Sequence, residues 1–194
     1  MNKLFLTVAA VGALSLSACK QDGTSVSNNQ TQGMTDEASI DNSANVDGNM
    51  GAAANVSADQ AFVQAAAAAD MYEIESSRLA LDKATLPSIK TYAQMMIDEH
   101  TKASAELKAA AGQAGIPVSA TLPPELQTKI EALRSKSGAE FDQLYLGDQR
   151  VGHQDTLAKV NAYLAAAPAG PLKDHAAKVT GVVQKHLNSL EKIK

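Results

Sequence analysis

The stretch from Ser88 to Ala111 is the sequence feature that most constrains the fold, because it predicts one long amphipathic helix. At about 100° per residue, the apolar residues of this stretch fall on one side and the charged residues on the other. The apolar stripe comprises Ile89, Ala93, Met96, His100, Ala103 and Leu107. His100 stands in the middle of the stripe, where a buried imidazole needs a polar partner. The helix must therefore pack against elements that supply such a partner.

Three further stretches share the helical period, and no stretch shows the alternation that is typical of strands. The four predicted long helices span residues 58–84, 88–111, 139–166 and 171–193. A short helix over residues 124–135 is predicted in the crossover between the second and third helices. Two helical hairpins joined by a longer crossover predict an all-α fold, an antiparallel four-helix bundle.

Composition excludes several classes of protein. Aromatic residues make up only 4% of the chain, alanine is abundant, and the net charge is −4. Small side chains favour closely packed helices over a β-sandwich. A mildly acidic chain without a Lys/Arg cluster is not expected to bind nucleic acid. One cysteine permits neither an internal disulfide nor a Cys-based zinc site.

The N-terminal segment resembles a bacterial lipoprotein signal. Lys3 precedes a short apolar run, which ends in Leu16-Ser17-Ala18-Cys19. This pattern predicts a signal peptide over residues 1–18 and lipidation of Cys19, whose acyl chains would anchor the chain to a membrane. Lys20, in place of aspartate, favours the outer membrane, with the protein facing the periplasm. An ordinary secretory signal with an incidental cysteine is the alternative.

Residues 19–57 are predicted to be the lipidated cysteine and a disordered tether. From residue 20 onward the segment is rich in Gly, Ser, Asn, Asp, Thr and Gln and has no Phe, Tyr, Trp or Leu. Such a segment cannot bury enough apolar surface to offset the entropy lost on ordering. The folded domain is accordingly predicted over residues 58–194.

Each predicted long helix has an inward glutamate or histidine near its middle. These four residues are Glu73, His100, His153 and His186. Counting residues from each hairpin turn, at about 1.5 Å per residue, puts all four at a similar height. Three imidazoles and one carboxylate suit a divalent transition metal, namely zinc, iron, copper or manganese. A hydrogen-bonded polar network without metal is the alternative.

Three neighbouring residues are secondary candidates for this site. Met96 lies one turn from His100, where a thioether would favour copper(I), although methionine there is more commonly core filling. The Tyr145 hydroxyl lies at the border of the inner face and is a candidate partner for a histidine, and Gln149 lies on the same inner face. A di-iron site is disfavoured, because no Glu-x-x-His pair is present.

Several of these motifs resemble a bacterial family called domain of unknown function 4142. The resemblance covers residues 58–193, and Met95-Met96-Ile97-Asp98-Glu99-His100 is its most specific part. The other matching motifs are Tyr72-Glu73-Ile74-Glu75, Phe141-Asp142-x-x-Tyr145, His153-Gln154 and His186-Leu187. The resemblance implies an exported, often lipidated, ferritin-like helical bundle, and it implies no settled activity.

The sequence thus supports three hypotheses about function. The first is an envelope-anchored lipoprotein that binds a metal ion in its core and acts in metal handling or envelope stress. The second is a structural or interaction module with a metal-free polar core. The third is a mononuclear metal oxidoreductase, although no nucleophile elbow, phosphate loop or Cys-x-x-Cys motif indicates an enzyme.

Overall fold

A computed structural model describes residues 46–119 and 121–194, with side chains from residue 58 onward. Within these ranges the chain forms five α-helices and no strand. The helices are α1 Val46–Lys83, α2 Pro87–Gln113, α3 Pro124–Ser135, α4 Gly138–Ala166 and α5 Pro171–Leu190. The prediction of an all-helical fold is confirmed. The predicted signal peptide, Cys19 and the tether up to residue 45 lie outside the described residues.

The helices begin and end at residues with the expected backbone chemistry. Helices α2, α3 and α5 each have a proline in their first turn, where the missing N–H would have no helical partner. After α2, Gly115 adopts a φ of 69°. The Ile116 amide then donates to the Ala111 carbonyl at 2.9 Å, which closes a glycine C-cap.

Helix α1 begins at Val46, twelve residues before its predicted start at Ala58. The prediction rested on the lack of large apolar side chains before residue 58, and it is corrected here. Residues 52–54 are alanines, which have the highest intrinsic helix propensity. Adding residues to an existing helix needs no new nucleation, so these residues can continue α1 toward the N-terminus.

The four long helices pack in a ring. Helix α1 contacts α2 and α4, and α5 contacts the same two helices. Only residues 84–86 separate α1 from α2, and only residues 167–170 separate α4 from α5, so each pair turns back as a helical hairpin. Helix α3 lies against α1 and α4. None of the helices in the described part of the chain is both long enough and apolar enough to cross a membrane.

The interior of this helical bundle has two apolar clusters. The first cluster includes Phe62, Leu107, Val160, Leu172 and Ala176. The second includes Tyr72, Ile89, Met96, Phe141, Tyr145 and Leu190. Along each long helix, buried polar residues lie between the parts that contribute to the two clusters. These polar-layer residues are Asp70, Glu73, His100, Gln149, His153 and His186.

The turn between α1 and α2 is fixed to α4 by a buried carboxylate. Asp142 is only 6% exposed. Its Oδ1 accepts a hydrogen bond from the Thr85 amide at 3.0 Å, and its Oδ2 accepts one from the Thr85 hydroxyl. The carboxylate therefore satisfies a backbone N–H that follows the end of α1, and it links the first hairpin to the second.

We expect Asp142→Ala to lower the free energy of unfolding by about 1.5–3 kcal/mol, because the charged acceptor is lost and the Thr85 amide is left without it. Urea unfolding followed by circular dichroism measures this change. Asp155→Ala, an exposed aspartate on the same helix, is the matched control and should stay within about 0.5 kcal/mol of wild type. Equal stability of the two variants would contradict the role assigned to Asp142.

Candidate metal centre

Three histidines from three different helices meet in the polar layer. His100 on α2, His153 on α4 and His186 on α5 are 9%, 2% and 0% exposed. One ring nitrogen from each lies within 4.8 Å of the other two. The ring centroids are 5.1 to 6.0 Å apart. We call these three residues the histidine cluster. Three of the four predicted ligands thus lie together in one group.

The tautomer of His153 follows from its helical position. Its Nδ1 lies 2.7 Å from the backbone carbonyl oxygen of Gln149, one turn earlier on α4. A carbonyl oxygen only accepts, so Nδ1 carries the proton and donates. The other nitrogen, Nε2, is then left with its lone pair.

The tautomer of His186 is set by a carboxylate from another helix. Its Nε2 lies 2.9 Å from Oε2 of Glu99 on α2. Glu99 also pairs with Lys185, and these hydrogen bonds outweigh the effect of burial and lower the pKa of Glu99. An ionised carboxylate only accepts, so Nε2 of His186 donates. Its Nδ1 is therefore the nitrogen with the free lone pair.

His100 has a carboxylate partner as well. Its Nδ1 lies 2.8 Å from Oδ1 of Asp70 on α1, and the Ser104 hydroxyl donates to the other oxygen of Asp70 at 3.2 Å. Nε2 of His100 is buried and has no hydrogen-bond partner among the described residues. All three rings thus have one nitrogen at hydrogen-bonding distance from an oxygen, and one nitrogen of each ring lies within 4.8 Å of a nitrogen of the other two.

The two free lone pairs of His153 and His186 face each other. Nε2 of His153 lies 3.0 Å from Nδ1 of His186. Burial, followed by the charge of a neighbouring imidazole, lowers the pKa of His153 to about 3 and that of His186 to about 4. Both rings are therefore neutral at pH 7. Two free lone pairs that face each other at this distance could both bind one cation.

His100 differs from the other two rings in its charge. Burial acts to lower its pKa, but the hydrogen bond to Asp70 and the charges of Glu73, Asp70 and Glu99 outweigh burial and raise it. His100 is thus the cluster imidazole that most readily holds a proton. A metal ion that bound to its Nε2 would displace that proton.

Glu73 lies beside the histidine cluster but outside the group of converging atoms. Its Oε1 is 3.8 Å from Nδ1 of His153, the nitrogen that faces away from the cluster, and its Oε2 accepts from the Gln149 amide. Burial, the largest effect, raises its pKa to about 7, although the charge of His100 and the bond from Gln149 oppose the shift.

The three secondary candidates have different surroundings. Met96 is fully buried in the second apolar cluster, where it packs as a core side chain. The Tyr145 hydroxyl is 2.8 Å from the Ser77 hydroxyl. Gln149 donates to Glu73 through its side chain and accepts from His153 through its carbonyl. Gln149 is thus the one that contacts the candidate ligands directly.

Sequence reasoning missed Asp70 and Glu99, the carboxylates that orient His100 and His186. Asp70 lies three residues before Glu73, so it shares the inward side of α1. Glu99 adjoins His100, and it reaches α5 from the edge of the helix. A search for one oxygen acceptor per ligating imidazole, on the adjacent helix at the same height, would have selected both residues.

The comparisons with known proteins establish the family. The model of the family described as Domain of unknown function (DUF4142) matches residues 44–193, so the chain belongs to this family. A DUF305 fragment from Deinococcus radiodurans has a similar structure, with a TM-score of 0.61 and 15% identity over 69% of this chain and 93% of that one. A putative secreted DUF305 protein from Streptomyces coelicolor is also similar in structure, with a TM-score of 0.59 and 12% identity over 69% of this chain and 88% of that one. The search of curated proteins gave no match.

We expect the metal-free protein at pH 6 to hold His153 as the Nδ1–H tautomer and His186 as the Nε2–H tautomer, both neutral. Their hydrogen bonds fix the tautomers, and pKa values of about 3 and about 4 keep the rings unprotonated. Long-range ¹H–¹⁵N NMR spectra distinguish the two tautomers and the imidazolium form. The urea-unfolded chain is the control, since its histidines should titrate near 6.5. An imidazolium signal from either ring at pH 6 would contradict the assignment.

Proposed function

We propose that this member of the family binds one divalent transition-metal ion through His100, His153 and His186. The supporting observation is the arrangement of the ring nitrogens. Each imidazole donates one N–H to an oxygen, the remaining nitrogens of His153 and His186 lie 3.0 Å apart, and one nitrogen of His100 lies within 4.8 Å of a nitrogen of each. Metal-ligating histidines show the same division between a ligating nitrogen and a donating one. On this proposal the fold is an antiparallel, ferritin-like four-helix bundle that supplies the ligands from its core.

The spacing of the nitrogens is compatible with a metal centre. Two imidazole nitrogens bonded to one ion at about 2.1 Å are roughly 3.0–3.4 Å apart for angles between 90° and 110°. The separation between His153 and His186 is 3.0 Å. His100 completes the set within 4.8 Å, so a small approach of α2 would bring its Nε2 into the coordination shell.

Glu73 remains our proposed fourth ligand. A rotation of its side chain, with loss of the bond from Gln149, would direct an oxygen toward the ion. Its carboxylate would then offset part of the metal charge, and the ion would favour the ionised form of Glu73. Three nitrogens and one oxygen suit zinc, iron, copper or manganese.

We also propose that the chain is exported and anchored in the cell envelope through lipidated Cys19, with its folded part facing the periplasm. The support is the sequence pattern Leu16-Ser17-Ala18-Cys19 at the end of a short apolar run. A metal site on a tethered periplasmic protein suits metal handling or protection of the envelope against stress.

Two other functions have specific support. A metal-free polar core is favoured by the same contacts, because each of the three imidazoles already has an oxygen acceptor within the protein. A mononuclear metal oxidoreductase is favoured by a cavity of about 440 Å³ that His100 and His153 line. An ion held by three histidines would have an open coordination position for a substrate.

The decisive experiment is a metal analysis of the purified full chain, without an affinity tag, after loading with each metal and dialysis. We expect about one ion per chain in wild type and a loss of at least about tenfold in affinity for His153→Ala, since one of three ligands is removed. His175→Ala is the matched control: it also removes a buried histidine, but one outside the cluster, and it should keep the metal.

The outcome separates the hypotheses. Wild type that stays metal-free under every loading condition, with His153→Ala merely less stable, would reject the metal site in favour of the polar core. Equal metal content in His153→Ala and wild type would reject the proposed ligands.

We expect Asp70→Asn to weaken metal binding by about ten- to a hundredfold while the stoichiometry at saturation is unchanged, because Asp70 orients His100 and raises its basicity. Competition with a chelator of known affinity measures the effect. Asp82→Asn, at an exposed position of α1, should bind as wild type does. Identical affinities for the two variants would show that Asp70 does not support the site.

A further inference from the structure

The cavity beside the histidine cluster has a lining that suits an organic ligand. Its volume is about 440 Å³, and all four long helices contribute to it. Apolar atoms form most of its surface, although twelve of its lining residues are polar or charged. The apolar lining residues are alanines and valines from all four long helices, together with Phe62 of α1. An engineered apolar cavity of about 150 Å³ holds one benzene molecule, so the present cavity has room for roughly fifteen non-hydrogen atoms.

Two buried nitrogens without partners lie in the lining of this cavity. One is Nε2 of His100, in the histidine cluster, and the other is Nδ1 of His175. His175 is only 5% exposed, and it lies eleven residues before His186, which is about 16 Å along α5. The cavity therefore has a second unpartnered imidazole nitrogen, on the same helix as His186 and about three turns from it.

Two lysines of the lining are paired with carboxylates and two are not, and the carboxylates of Asp70 and Glu106 lie close enough to His175 to act on its pKa against the larger effect of burial, which lowers it. Lys185 pairs with Glu99, and Lys102 lies 3.9 Å from Glu106. Lys159 and Lys178 also line the cavity, and no carboxylate of the described residues lies within 4.0 Å of either ammonium group. Lys178 follows His175 by three residues, so it shares that side of α5.

We propose that this cavity binds an amphipathic monocarboxylate, with its carboxylate at His175, Lys159 and Lys178 and its apolar body directed toward the histidine cluster. His175 donates a hydrogen bond from Nδ1, and the two lysines neutralise the charge. The alanine and valine walls cover an unbranched or aryl-substituted chain of about ten carbons. Binding at this end of the cavity does not require a metal ion at the other end.

Isothermal titration calorimetry on the purified full chain, with decanoate as the probe, tests the proposal. We expect about one decanoate per chain, and about tenfold weaker binding of decanol and of decylamine, because these keep the chain but lose or reverse the charge. Decanoate that gives no saturable binding, or decanol that binds equally well, overturns the proposal.

Two variants locate the site. Ala66→Phe fills the cavity and should weaken decanoate binding at least about tenfold, whereas Ala105→Phe, at an exposed position of α2 outside the lining, should not. The pair Lys159→Gln and Lys178→Gln lies at the surface and tests the carboxylate end without altering the core. Its control is the pair Lys108→Gln and Lys192→Gln, at exposed positions outside the lining. Wild-type affinity in both test variants overturns the assignment.

The measurement is repeated on metal-loaded and chelator-treated samples whose metal content is determined. Equal decanoate affinity in the two samples supports a carboxylate site at His175. Decanoate that binds only to the loaded sample overturns this placement, because the carboxylate would then be a metal ligand. If the chain never takes up metal but binds decanoate, the absence of metal rejects the metal site and the decanoate binding supports the carboxylate site.

Discussion

The pairing of each cluster imidazole with an oxygen acceptor is the interaction on which the site depends. An unpaired imidazole in the core would rotate, or would require a water molecule, and its desolvation would destabilise the fold. Each ring is fixed by one acceptor: His100 by Asp70, His186 by Glu99 and His153 by the carbonyl of Gln149. Each acceptor fixes both the tautomer and the direction of the free nitrogen. The orientation of the three imidazoles in the cluster is thus a consequence of three separate hydrogen bonds.

Much of this arrangement could be predicted from the sequence, because each residue of an α-helix adds a fixed rise of about 1.5 Å along the helix axis. Short turns join α1 to α2 and α4 to α5, so residues at equal distance from a turn lie at similar height. His100, His153 and His186 were brought together by this argument alone. The helix of the crossover was also predictable, since a proline and a Ser-Gly pair bound a short amphipathic stretch.

The remainder depended on details that helical period does not encode. The height of a residue along its helix does not determine the direction of a long side chain. Glu73 lies at the level of the cluster, but one of its carboxylate oxygens accepts a hydrogen bond from the Gln149 amide. Glu99 lies at the edge of the apolar stripe of α2, where the helical pattern predicts a solvent-exposed side chain, and from there it contacts His186. The start of α1 differs from the prediction for another reason: residues with high helix propensity, such as alanine, can extend a helix that is already nucleated.

Burying the polar layer lowers the stability of the fold relative to an apolar core, and this favours a functional role for the layer. It separates two apolar clusters that would otherwise form one continuous core. Replacing buried charged and polar groups with apolar ones of similar volume is often neutral or stabilising. A chain selected for stability alone would have no need of six polar residues at one level. Departures from the simplest solution for a core are expected where a site must be built.

The same layer also accounts for the cavity. The distance between packed helices depends on the side chains at their contact. Imidazole rings fill the core at the level of His100, His153 and His186, whereas Ala66 and Ala69, one to two turns from Glu73 along α1, are short and line the cavity. Phe62 and Val160 also line the cavity and belong to the first apolar cluster. Helices that are spaced by imidazoles at one level and carry alanines at the next would leave such a cavity between them.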